Sequence, residues 1–158
     1  MLADEKFRTR LNATIMTLRA FAEGLSDVAR FELTESVVAW RLSMAPNAPS
    51  ACPFELVLRS DQQYDIAIAT EVFEDRRIED VEIFPRLAEA IADGRVMIRR
   101  FASAATGIDH SREVVVTLAD GRQWSATNYN SGLLGRDDFD LVEAVRHFVP
   151  YRRAAPIR

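Results

Sequence analysis

EVVVTLADGRQWSAT, residues 113–127, places two runs of β-forming residues around Ala119-Asp120-Gly121 and reads as a β-hairpin. Its register follows from what each loop length would pair. A two-residue Asp120-Gly121 turn sets Val116 opposite Ser125 and Leu118 opposite Gln123, an apolar face against a polar one. A three-residue loop, a type I turn closed by Gly121 in the left-handed conformation, pairs Leu118 with Arg122, Val116 with Trp124 and Val114 with Ala126. One face is then apolar except at Arg122, and a buried face selects that register because a slip of one residue turns every side chain over.

The same logic reaches back along the chain. Phe54, Leu56 and Leu58 are followed by Tyr64, Ile66 and Ile68, and an odd loop of three or five residues around 60–63 aligns Leu58 with Tyr64, Leu56 with Ile66 and Phe54 with Ile68. Val38, Trp40, Leu42 and Met44 alternate as a strand that runs into a loop, 45–53, holding Pro46, Pro49 and Pro53. Phe31 and Leu33 alternate on the opposite parity, which predicts a break or bulge over 34–37. Val96 to Phe101 reads as a further strand.

Helical spacing is clearest at the start. Over residues 3–23 the apolar side chains Phe7, Leu11, Ile15, Leu18 and Ala22 recur every three or four positions, with Asp4 and Glu5 at the positive end of the dipole. Gly24 is a natural stop, while the seam continues to Val28 and Ala29, so the helix ends either at Gly24 or near Arg30. A short helix from about Phe84 accepts Pro85 in its first turn and ends at Gly94. Asp137 or Asp138 caps a predicted last helix with Phe139, Val142, Val145 and Phe148 or Val149 inward, ended by Pro150. The remaining stretches read as connections: the acidic run 71–82, a long loop at 102–112, and a turn-rich loop at 128–135. The expectation is thus an α+β fold with a single domain over 1–150 and a frayed basic tail over 151–158. The predicted order is α-βββ-α-βββ-α, an antiparallel sheet of about six strands with helices on one face.

Composition restricts the chemistry. Of the 158 residues, 28% are charged and the net charge is −4, which disfavours phosphate-driven binding to nucleic acid and favours a protein partner with a basic surface. No apolar run approaches the ~20 residues of a membrane span, and the start lacks a basic region followed by an apolar block, so the expected location is the cytoplasm. Lys6 is the only lysine while arginine and alanine abound, the bias of a GC-rich bacterial genome. With no glycine loop before it, Lys6 makes no phosphate-cradling site. Cys52 is the one cysteine, excluding an internal disulfide, and with two histidines it leaves no ordinary zinc site.

Two candidate sites follow. Asp109 and His110 in the 107–112 loop, with Asn128 and Asn130 in the 128–132 loop, offer a titratable imidazole and hydrogen-bonding side chains of the kind that hold small ligands. Loop and turn chemistry explains the same residues. A metal would need an oxygen-rich cluster, which Asp137, Asp138 and Asp140 could supply, but helix capping accounts for the first two. The stripe Phe7, Leu11, Ile15 and Leu18, with Met16 and Phe21 on a second flank, suits either the chain's own sheet or the interface of a homodimer. No nucleophile lies beside a base and no cofactor motif appears. The sequence therefore favours a non-enzymatic interaction domain, with a small-molecule-binding domain or hydrolytic enzyme built on the two loops as the alternative.

Overall fold

The computed structural model describes residues 2–130 and 140–152. In chain order its elements are α1 (Leu2–Gly24), β1 (Ala29–Glu35), β2 (Ala39–Pro46), β3 (Phe54–Arg59), β4 (Gln63–Ile68), β5 (Glu71–Arg77), α2 (Ile83–Ala92), β6 (Val96–Ser103), β7 (Asp109–Thr117), β8 (Gln123–Tyr129) and β9 (Leu141–His147). The strands form two antiparallel sheets, β1-β2-β3-β4-β5 and β8-β7-β6-β9. The fold is α+β, but the expected single sheet of about six strands is replaced by two, and the order α-βββ-α-βββ-α by α-βββββ-α-ββββ.

Where a buried face dictated register, the structure agrees with the sequence. β7 and β8 pair Val114 with Ala126 and Val116 with Trp124, and the Leu118 amide donates to the Arg122 carbonyl at 2.8 Å. Gly121 sits at φ +88°, the left-handed position of the three-residue loop. β3 and β4 pair Leu58 with Tyr64, Leu56 with Ile66 and Phe54 with Ile68, and here Gln62 takes the left-handed position at φ +66°. α2 buries Phe84, Leu87, Ala88 and Ile91 as its spacing predicts, and Gly94 at φ +79° donates its amide to the Ile91 carbonyl.

The parity change near residue 35 is a chain reversal, not a bulge. Phe31 pairs with Met44 and Leu33 with Leu42, so β1 and β2 are a hairpin around Val37-Val38, and a two-residue turn moves the apolar set from odd to even positions. The Ser36 hydroxyl holds that turn by accepting from the Val38 and Ala39 amides.

Three stretches read as connections carry strand. Glu71–Arg77 of the acidic run is β5, with Glu71 and Phe73 on the buried face opposite Ile68 and Ile66. β6 runs to Ser103 and β7 begins at Asp109, leaving 104–108 as the turn, and β8 extends through Asn128 to Tyr129. The predicted last helix is also overturned: Leu141–His147 is β9, antiparallel to β6. The spacing of Val142, Val145 and Phe148 resembled a helix face, yet of these only Phe148 is buried, so no core enforces that spacing. β-branched valines favour a pleated strand, and β6 offers a ladder seven residues long. The proposed caps Asp137 and Asp138, together with Phe139, lie outside the described residues.

α1 ends at Gly24, and the chain turns through 25–28 into β1. Its stripe lies against the protein's own core: Leu18 and Ala22 are wholly buried, and Phe7, Leu11 and Ile15 pack partly buried against it. Beyond β9 the chain stays docked through Arg152. The Tyr151 amide donates to the Ala92 carbonyl at 2.8 Å, its hydroxyl donates to the Cys52 carbonyl at 2.5 Å, and Arg152 pairs with Asp27 at 2.7 Å. The rest of the tail, 153–158, lies outside the described residues.

Candidate functional site

Asp109 and His110 open β7, Asn128 lies on the neighbouring strand β8 and Asn130 just follows it, where its amide donates to the His110 carbonyl at 2.9 Å, so folding places the four at one end of the second sheet. Register places Arg112 opposite Arg100 and Asn128, continuing the core face of Val114 and Ala126 to its polar limit. Glu71 of β5 meets this end from the first sheet. Only 3% exposed, its carboxylate accepts from Arg112 Nε at 2.8 Å, from Asn128 Nδ2 at 3.1 Å and from Thr70 Oγ1 at 3.3 Å. Asp109 accepts from Arg100 and, at 2.9 Å, from Arg112. Asn128 also donates to the Val72 carbonyl, and Asn130 donates to the Asp109 carbonyl at 3.0 Å.

These bonds define what the cluster can do. Two guanidiniums face two carboxylates, and the charges balance. The Arg100 guanidinium first, and Arg112 second, hold the Asp109 carboxyl below its ordinary range, while Glu71 and then Asp109 raise Arg112. A carboxylate fixed in its ionised form by two arginines is a poor proton acceptor, and Glu71 is enclosed by its donors. His110 places Nδ1 3.2 Å from Ser111 Oγ and its ring edge-on to Tyr129, with centroids 6.3 Å apart. The arrangement clamps β5 against β7 and β8. Glu71 was missed in the sequence because it sits in an acidic run; the signal was Phe73, an apolar residue two positions on that shares its strand face.

Other chemistry-bearing groups stand apart. Cys52 is fully buried and its thiol is pushed up to about 12 by burial, so it stays protonated and inert. His147 lies exposed on β9 rather than on a helix, and Asp140 is exposed at the approach to that strand. Among the described residues no group of three or more histidine, cysteine or acidic side chains is placed to hold a metal. No helix among them is long and apolar enough to cross a membrane. A groove of about 550 Å³ lies over Tyr64, Phe84 and Trp124, where Arg76 sits 5.8 Å from the Trp124 ring centroid, and a second of about 580 Å³ lies beside the start of α1. Asp109, His110, Asn128 and Asn130 line neither groove.

The surface left over is β9. All seven of its residues are exposed, Leu141 by 40%, Val142 by 56% and Val145 by 43%. It pairs with β6 without a register shift, and among the described residues it has no strand on its other side. The remaining edges are protected in recognisable ways. β1 carries Arg30, Glu32 and Glu35, and β5 is bulged beside Asp75 at φ +56° and covered by β8 side chains. β8 faces β5 through Trp124, whose ring meets Phe73 at 5.9 Å. Compared with known protein families, curated proteins and solved structures, the chain matches none.

Proposed function

We propose that this chain is a non-enzymatic protein-interaction domain that receives an extended segment of a partner along the open edge of β9. The observation that carries the reading is the exposure of every β9 residue on a strand with an unshifted ladder, since unpaired backbone groups at an edge are a template for another strand. Main-chain hydrogen bonds would supply affinity, and Leu141, Val142 and Val145 would supply contacts for alternate side chains. The polar cluster at Glu71 is fully employed in holding the two sheets, which argues against catalysis there. Net charge −4, with Glu74, Glu79, Asp80 and Glu82 exposed, suits a partner of basic surface whose association slows as salt rises.

Titration of isotope-labelled protein with short extended peptides that alternate valine or threonine with charged residues tests the reading. Amide shifts confined to β9 and β6 are expected. Saturable shifts centred on Asp109, His110 and Asn130, or on the Trp124 groove, would overturn it in favour of the small-molecule-binding alternative, and no shift with any peptide at millimolar concentration would also overturn it.

A further inference from the structure

We propose that the segment β9 receives is β9 of a second copy, so that two molecules join their four-stranded sheets into one of eight about a two-fold axis through Val145. The inference rests on strand addition at β9 and adds its occupant and its register.

The geometry leaves few choices. Two copies of one strand pair antiparallel across a two-fold only when the axis is perpendicular to the sheet, which keeps the same face of both sheets on the same side. Directly opposed residues of an antiparallel pair also share a face. The axis must therefore pass through a residue, not between two. An axis at Glu143 sets two carboxylates directly opposite each other, and one at Arg146 sets two guanidiniums opposite, both destabilising. An axis at Ala144 pairs Leu141 with His147, Val142 with Arg146 and Glu143 with Val145, an apolar residue against a polar one each time.

An axis at Val145 pairs valine with valine and sets Glu143 opposite His147 twice, once on each side, with Ala144 opposite Arg146. Beyond β9 the Val149 amide donates to the Ser50 carbonyl at 3.1 Å, so the joined stretch ends at His147. Only this register sets acid opposite imidazole while pairing valine with valine. The face that joins is already shaped by β6, since the ladder sets Val145 opposite Arg99 and Glu143 opposite Phe101, with Glu143 leaning to Arg99 at 3.7 Å, beyond hydrogen-bonding length. β9 itself has neither proline nor lysine nor a bulge to block a neighbour.

Sedimentation velocity of the wild type between about 5 and 200 μM, compared with three variants, tests the proposal. A monomer–dimer equilibrium is expected, weakened at least tenfold by Val145→Lys, which sets two ammonium groups across the axis at a position exposed in the monomer. His147→Glu should weaken it as well by opposing Glu143 with a second acid, and the swap Glu143→His with His147→Glu should restore it, because the opposed pair is only exchanged. A wild type that stays monomeric at 200 μM overturns the dimer while peptide-induced shifts at β9 would still uphold strand addition. A dimer unmoved by Val145→Lys overturns the use of β9 by a second copy. A dimer weakened by Val145→Lys but not restored by the swap overturns the Val145 register.

Discussion

The two edges of the second sheet meet opposite fates. β8 ends in a clamp: Asn128, Arg112 and Glu71 tie it to β5, and Trp124 lies against Phe73 while its indole donates to the Tyr64 hydroxyl at 3.2 Å. β9 carries no such clamp and leaves seven residues in solvent. Both edges flank the same pair of central strands, so the difference lies in side chains and not in sheet geometry. A charged residue placed inward made one edge structural, and apolar residues placed outward left the other available.

The contrast can be broken most sharply where the chain leaves β9. Gly94 is at φ +79°, and a Cβ there would lie 2.8 Å from Pro150 N and from Val149 C, so Gly94→Ala combines backbone strain with a collision against backbone. It should cost about 3 kcal/mol, read by chemical denaturation, and should loosen β9 before β8. At the clamped edge, Arg112→Met leaves the Glu71 carboxylate buried with its strongest donor gone. Because Arg112 is itself 41% exposed, the expected loss is about 2 kcal/mol, less than for a wholly buried pair. Adding Glu71→Leu to that variant should recover most of the loss. If the double variant is no better than the single, the clamp is not where the edge is held.

Acid provides a gentler probe. Arg100 and Arg112 lower the Asp109 carboxyl below the ordinary value of about 3.9. Its contribution to stability is therefore complete above that pH and is lost as pH falls through its lower folded value. The stability gap between wild type and Asp109→Asn should be constant above about pH 4 and should close below it, in denaturant curves taken at successive pH values. The smallest effect belongs to the open edge. Val142→Thr and Val145→Lys should change monomer stability by no more than about 0.5 kcal/mol, and a larger loss would mean that β9 side chains are integral to the core.

What was legible in the sequence follows the same division. Wherever apolar residues were sorted by a buried face, as in the Val116–Trp124 and Leu56–Ile66 pairs or along α2, spacing alone gave the element and its register. β5 was hidden because its buried face offers Glu71 where a hydrocarbon was expected, and the partner that neutralises it, Arg112, lies 41 residues further on. β9 was hidden because its valines are sorted by no core at all. Of the candidate site residues, Asp109 and Asn130 are joined by a hydrogen bond, while the bond of Asn128 to Glu71 depends on an approach of β5 to β8 that no local pattern encodes.

The strand order carries a consequence for how the chain assembles in time. Each strand of the first sheet pairs with its neighbour in sequence, so β1 to β5 need only short loop closures. β9 must return to β6 after β7 and β8 have intervened, closing a far longer loop for one ladder and little buried area. Non-local pairing is slow for that reason. In pulse-labelling exchange during refolding, amides of β3 and β4 should gain protection before those joining Met97 to His147, and until β9 arrives the newly made molecule presents β6 as its bare edge.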